Sequence, residues 1–138
     1  MVEPVQKTVV SLRFSGVKLN REKVIALFPG HENLAPPLVD GRSPVRPSLH
    51  RRLEAVSPGN LDHQISMLID DSVEDETLWR EATSGLKVDV FCGLFLDDSN
   101  EGISISPKTM EKLAKRSIQL SLDIYGPIVP DGLLEGAK

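Results

Sequence analysis

The sequence has little cysteine and no long apolar run, and each absence excludes a class of protein. One cysteine among 138 residues cannot form an internal disulfide, so a reducing compartment is expected. No apolar run approaches the roughly 20 residues of a membrane-spanning helix, and no signal-peptide core follows Met1. The formal net charge of -4 disfavours nucleic acid as a partner. We therefore expect a cytoplasmic protein that binds neither nucleic acid nor membranes.

The motifs of the common catalytic and cofactor sites are also missing. No Gly-x-Gly occurs, and neither a dinucleotide-binding loop nor a P-loop is present. There is no Gly-x-Ser-x-Gly elbow and no Asp-x-Asp-x-Asp-Gly calcium loop. His31, His50 and His63 lie too far apart along the chain for a local metal-binding spacing. We expect no catalytic residue, no metal ion and no cofactor.

What is present is an alternation of strand and helix patterns along one domain. The patterns follow the order β-α-β-α-α-β-β-α-β, which predicts an α+β two-layer sandwich. Its sheet is expected to be mostly antiparallel, with about five strands and with helices packed on one face. The domain is predicted to span residues 8–126, with an N-terminal arm at 1–7 and a C-terminal tail at 127–138.

The residues that begin the helices and form the turns can be named as well. Asn20 is a candidate N-cap, Ser72 with Asp75 resembles a capping box, and Ser106-Pro107 is a strong helix start. The acidic segment 97–102 is predicted to turn a hairpin from the third predicted strand into the fourth.

Apolar residues alternate with other residues along the predicted strands, which assigns one face of the sheet to the core. We expect Cys92 on this face, where a thiol is protonated and inert. Leu122→Asp is expected to unfold the domain, because it would bury an unpaired charge. The predicted core residues are Val10, Leu12, Phe14, Val90, Leu94, Leu120, Leu122 and Ile124.

Several of these segments resemble a known bacterial family, the domain of unknown function 4279. The resemblance rests on 102–107 (Gly-Ile-Ser-Ile-Ser-Pro), on Leu113-Ala114 and on 122–125 (Leu-Asp-Ile-Tyr). The first strand, which ends at Gly16, and the helix that ends at 27–29 (Leu-Phe-Pro) fit the front of the same family. The resemblance covers about residues 8–125. It implies the same kind of domain and no activity, because the family has none assigned.

The face opposite the predicted core is the first candidate binding surface. The chain has five Phe and Tyr residues, and three of them fall on this face. Exposed aromatic side chains are costly unless something covers them, so a second subunit, the chain's own arms or a ligand is expected there. The candidate residues of this face are Arg13, Asp89, Phe91, Phe95, Asp123 and Tyr125.

A basic segment next to a proline-rich connection is the second candidate. Arg42, Arg46, Arg51 and Arg52 lie in or beside the long connection 29–49, in a stretch that lacks acidic residues. Guanidinium groups there could bind an anionic partner. They could equally pair with the acidic segment 70–76 of the same molecule.

These observations favour a binding domain over an enzyme. We expect a non-catalytic module that binds another protein, and a homodimer in which the second copy covers the open face. The alternative is a small-molecule-binding protein or enzyme that uses this face as a pocket.

Overall fold

The computed structural model describes residues 3–30, 47–98 and 101–127. Secondary structure within these ranges follows the predicted order, with one further short strand at the start. The elements are β1 (Glu3–Pro4), β2 (Lys7–Ser15), α1 (Arg21–Ala26), β3 (Ser48–Arg52), α2 (Leu61–Asp70), α3 (Glu76–Thr83), β4 (Lys87–Phe95), β5 (Glu101–Gly102), α4 (Pro107–Lys115) and β6 (Gln119–Tyr125).

The main sheet has four strands in the order β3-β2-β4-β6. β2 is antiparallel to both β3 and β4, whereas β6 is parallel to β4. Parallel neighbours need a crossover connection, and α4 lies in the segment that supplies it. The α+β fold is confirmed, although the main sheet has four strands where about five were expected.

The predicted hairpin after β4 is wrong. β5 does not continue the main sheet, but pairs in parallel with β1, with Glu3 opposite Glu101. The carboxylate of Glu101 instead accepts hydrogen bonds from the backbone N–H groups of Asp97 and Asp98. These bonds hold Glu101 next to the residues that follow β4, although β4 and β5 form no hairpin.

Aromatic side chains join the helical layer to the sheet. Phe14 of β2, Phe28 just after α1 and Trp79 of α3 form a cluster with ring centroids 6.0 to 6.2 Å apart. The indole N–H of Trp79 donates to the carbonyl of Val73 at 3.0 Å, so the ring is buried without an unsatisfied donor. Burial of these rings fixes α1 and α3 on one face of β2.

A buried polar cluster positions α2 on the same face. The amide of Gln64 donates to the carbonyl of Thr8 at 3.1 Å, and the Thr8 hydroxyl donates to the Gln64 carbonyl oxygen. The same hydroxyl accepts from the backbone N–H of Asn60 at 3.1 Å. A Cβ at Gly59 would lie 2.6 Å from Thr8 Cγ2, so only glycine allows this close approach.

Two of the three predicted helix starts are confirmed, and the third lies three residues later. Asn20 and Ser106 accept hydrogen bonds from backbone N–H groups in the first turns of α1 and α4. The N-cap of α3 is Asp75, not Ser72. Ser72 instead donates to the carbonyl of Ile69 and ends α2.

The predicted core is correct for β2 and β4 and wrong for β6. Leu120, Leu122 and Ile124 are in register with buried residues of β4, so they lie on the same face, yet they are 37%, 48% and 58% exposed. The described helices bury the inward side chains of β2 and β4 but leave these three side chains of β6 partly exposed. The predicted core residues that are buried are Val10, Leu12, Phe14, Val90 and Leu94.

No helix within the described ranges is long and apolar enough to cross a membrane.

Because Leu12 of β2 is buried and Leu122 of β6 is exposed, replacing each by alanine should lower the free energy of unfolding by different amounts. Leu12→Ala should lower the free energy of unfolding by about 2–5 kcal/mol, because Leu12 is fully buried. Leu122→Ala should cost less than about 1 kcal/mol, and Leu122→Asp should still fold. Chemical denaturation at low protein concentration measures both. Equal losses for the two alanine variants would contradict the exposed position of Leu122.

Cys92 lies on the buried face of β4, and a thiol reagent can test whether its sulfur is accessible in the native protein. Burial, together with the negative charge of Asp89, raises the pKa of the Cys92 thiol to about 12. A thiol reagent should therefore label the native protein far more slowly than the denatured protein. Labelling followed by mass spectrometry, with and without denaturant, measures this difference. Rapid labelling of the native protein would reopen a role for Cys92 as a nucleophile.

Candidate functional site on the open face

The four strands present a second face, which we call the open face, on the side away from the helices. The strand registers place all six predicted binding-face residues here, together with further residues of β2, β3, β4 and β6. The main residues of the open face are Val9, Ser11, Arg13, His50, Arg52, Asp89, Phe91, Gly93, Phe95, Ser121, Asp123 and Tyr125.

The open face carries an ion pair between Arg13 and the buried carboxylate of Asp89. Asp89 is 3% exposed and accepts two hydrogen bonds from the Arg13 guanidinium, at 2.8 and 2.5 Å. Ser121 donates a third hydrogen bond to it, at 2.8 Å. Burial opposes ionisation of Asp89, but the hydrogen bonds from Arg13 and Ser121 outweigh it and lower the pKa. Three strands are joined by this charged cluster.

Aromatic rings next to this pair are held by cations and by one another. The guanidinium carbon of Arg13 lies 4.4 Å from the centroid of the Phe91 ring. Phe95 and Tyr125 are stacked, with centroids 4.6 Å apart and planes inclined by 8°. The Nζ of Lys7, the first residue of β2, lies 4.3 Å from the centroid of the Phe95 ring. Each ring therefore shows a partly exposed apolar surface in a fixed orientation.

The tyrosine hydroxyl is also engaged. It donates to the carboxylate of Asp123, two residues earlier on β6. This hydrogen bond and the negative charge of Asp123 raise the pKa of Tyr125. The hydroxyl therefore stays protonated at neutral pH and directs its proton to Asp123.

A cavity of about 320 Å³ opens over Gly93, between these rings. A Cβ at Gly93 would lie 3.4 Å from the Phe95 ring and 3.9 Å from Tyr125, so the glycine leaves room for an apolar group. All of its lining residues belong to strands. They are Val9, Ser11, Arg13, His50, Arg52, Phe91, Gly93, Phe95 and Tyr125.

Sequence reasoning missed the contribution of β3 to this cavity. It began the short strand only at Arg51, after the connection 29–49, although the alternation of His50 and Arg52 with the buried residues Leu49 and Arg51 is a strand signal that starts earlier. Register places His50 opposite Arg13 and Arg52 opposite Ser11. Burial, and then the charge of Arg13, lower the pKa of His50, so its ring is neutral at neutral pH.

Comparison with protein-family models decides the family. The model for a domain of unknown function (DUF4279) matches residues 49–127, which is more than half of the chain. The chain belongs to the DUF4279 family. Comparison with curated proteins finds no match, and comparison with solved structures finds none either.

The DUF4279 match begins at β3, so it covers three of the four strands of the main sheet. Phe91, Gly93, Phe95 and Tyr125 lie inside it, whereas β2, with Arg13, precedes it. The earlier resemblance over 8–125 extends further toward the N-terminus than this match.

The predicted arginine surface is not a single surface. Arg42 and Arg46 lie outside the described residues. Arg51 is buried on the helix side, where its Nη2 lies 2.5 Å from Asp71 Oδ2 and its guanidinium carbon 5.5 Å from the Phe28 centroid. Arg52 points to the opposite, open face. The intramolecular alternative is thus correct for Arg51.

The described histidines are separated too. His50 lies on the open face and His63 is exposed in the first turn of α2, while His31 falls outside the described residues. Among residues 3–30, 47–98 and 101–127, no group of three His, Cys, Asp or Glu side chains could hold a metal ion.

Because Arg51 is buried and Arg52 is exposed, their replacement should change the free energy of unfolding by different amounts. Arg51→Gln should lower the free energy of unfolding by on the order of 2 kcal/mol, because Asp71 and the buried face of Phe28 lose a cation. Arg52→Gln should change it by less than about 0.5 kcal/mol. Urea denaturation of the two variants measures the difference, and a similar loss for both would show that β3 has another register.

Proposed function

We propose that this DUF4279 domain is a non-catalytic protein-binding module whose open face holds an apolar side chain of the partner over Gly93. The observation that carries the proposal is the cavity of about 320 Å³, which is lined by aromatic and basic residues of the strands. Because its single cysteine is a buried thiol, we place the domain in the cytoplasm.

The dimensions of the cavity favour one large side chain. Small-molecule sites begin at roughly 300 Å³, so this cavity is at their lower limit. Interfaces are stabilised chiefly by a few aromatic or long side chains that fill such pockets. The Phe91 ring on one side and the stacked Phe95 and Tyr125 rings on the other provide apolar walls for one of them.

The charge at the rim favours an acidic neighbour of that side chain. The positive charge of Arg13 is balanced by Asp89. Arg52 is exposed, and no described residue hydrogen-bonds to its guanidinium group. A carboxylate on the partner could therefore pair with Arg52 without displacing a hydrogen bond from a described residue.

The carboxylate of Asp89 and the hydroxyl of Tyr125 are suited to binding more than to proton transfer. The lowered pKa of Asp89 keeps this carboxylate charged, and its oxygens already accept three hydrogen bonds. The raised pKa of Tyr125 keeps its hydroxyl protonated. A general acid or base needs a pKa close to the working pH, and neither shift is in that direction.

One observation favours a small molecule as the second candidate. A neighbouring cavity of about 660 Å³ at the end of the sheet shares Phe95 and Tyr125 with the first. A ligand that crosses the Phe95–Tyr125 stack would have room in both cavities.

Affinity capture with matched variants tests the proposal. Gly93→Ala should place a methyl group on the cavity floor, and Arg52→Glu should reverse the charge at the rim, both without unfolding. Each should reduce retention of the partner protein by roughly tenfold, which corresponds to about 1.4 kcal/mol. Arg80→Glu, an equal charge change at an exposed position of α3, is the control and should retain the partner fully.

Quantitative mass spectrometry of the retained proteins and small molecules separates the outcomes. A protein lost from both open-face variants and kept by the control supports the proposal. A small molecule with that pattern supports the second candidate. Identical retention by all variants would show that the open face is not the binding surface.

A further inference from the structure

A separate surface lies at the β6 edge, which no strand of the described ranges covers. β6 is an end strand of the main sheet, and no described strand lies beyond it. The carbonyl of Tyr125 accepts from the N–H of Leu96, so Tyr125 directs its backbone groups toward β4. Because successive residues of a strand alternate, the N–H and C=O groups of Leu120, Leu122 and Ile124 point to the outer edge.

The same three residues expose aliphatic side chains on the helix side of the sheet. Their exposures of 37%, 48% and 58% make a continuous apolar row beside the open backbone edge. Native edge strands usually carry charged residues or proline that prevent pairing. β6 has one charged residue, Asp123, and no proline.

The opposite edge of the sheet differs. β3 is also an end strand, but it carries His50, Arg51 and Arg52 in five residues. Charged side chains on an edge strand are the usual protection against pairing, so β3 has a protection that β6 largely lacks. Of the two edges, only that of β6 suits pairing with its own copy.

We propose that β6 pairs antiparallel with β6 of a second copy, with Leu122 at the two-fold axis, and so joins two sheets of four strands into one sheet of eight. This inference does not depend on the proposed function of the open face. It assigns the predicted homodimer to the strand edge instead of to the open face.

Hydrogen bonding selects this register. Gln119–Tyr125 is a seven-residue strand with Leu122 in its middle, so only a register centred on Leu122 pairs it along its full length. Leu120 then lies opposite Ile124 of the partner subunit, and Leu122 opposite Leu122 of the partner subunit. These are the residues whose backbone groups point outward, and three such pairs form about six hydrogen bonds.

Side-chain chemistry selects the same register. The aliphatic side chains of both copies meet on the helix side and cover one another. On the open face, Asp123 lies opposite Ser121 of the partner subunit, a small polar residue that brings no second charge next to the carboxylate. A register centred on Asp123 would instead place two carboxylates directly opposite, at a cost in stability.

The proposed pairing leaves the cavity over Gly93 accessible. Tyr125 lies at the β6 side of this cavity, and the register places Gln119 of the partner subunit beside Tyr125. The second copy would therefore extend the open face with an amide group next to the Phe95–Tyr125 stack.

Cysteine cross-linking in the full chain tests the register. Residues directly opposite in such a pair have Cα atoms about 5.5 Å apart, within the range of a disulfide. Leu122→Cys should therefore form a covalent dimer on mild oxidation. Leu120→Cys and Ile124→Cys should not do so alone, because like positions lie about 13 Å apart, but a mixture of the two should. The native Cys92 is buried and should not compete.

The oligomeric state gives the second measurement. Sedimentation velocity should show a wild-type dimer, a monomer for Leu122→Asp with an unchanged circular dichroism spectrum, and a dimer for the control Val17→Asp, which is 85% exposed elsewhere. A monomeric wild type with no Leu122→Cys cross-link would overturn the proposal and indicate that another segment covers β6. Equal cross-linking at all three positions would overturn the register.

Discussion

The buried carboxylate of Asp89 is the constraint on which the open face depends. An ionised group with 3% exposure needs compensation from its neighbours, and Arg13 and Ser121 provide it from the strands on either side. The same guanidinium covers part of the Phe91 ring. The ion pair, the contacts among β2, β4 and β6 at this point and the orientation of the Phe91 ring therefore all depend on the charge of Asp89 on β4.

The described helices impose a different constraint, because they bury only part of the other face. Aromatic packing holds α1 and α3 against β2, and the Thr8–Gln64 contacts position α2. β6 extends the sheet beyond this cover, so residues with the composition of a core strand remain exposed there. The domain thus has two surfaces of different character: a polar and aromatic cavity on the open face, and an aliphatic strand edge.

Strand alternation was sufficient to predict which face each side chain of the central strands occupies. It placed Phe91, Phe95 and Asp89 on the same side as Arg13 and Tyr125 before any pairing was known, because successive side chains of a strand point to opposite faces. At β3 the predicted strand began only at Arg51, and Arg51 and Arg52 were grouped with the arginines of the preceding connection, so the parts of the site supplied by His50 and Arg52 were missed.

Family, fold class, the positions of most helix starts and the buried state of Cys92 followed from the sequence by itself, since local pattern and propensity determine them. Strand order, the parallel pairing of β6, the separation of Arg51 from Arg52 and the exposure of Leu122 were decided only by the tertiary structure. The physical reason is that alternation specifies the face of a strand, but not its neighbour in the sheet. Whether that face is buried depends on how far the helical layer extends, which no local pattern records.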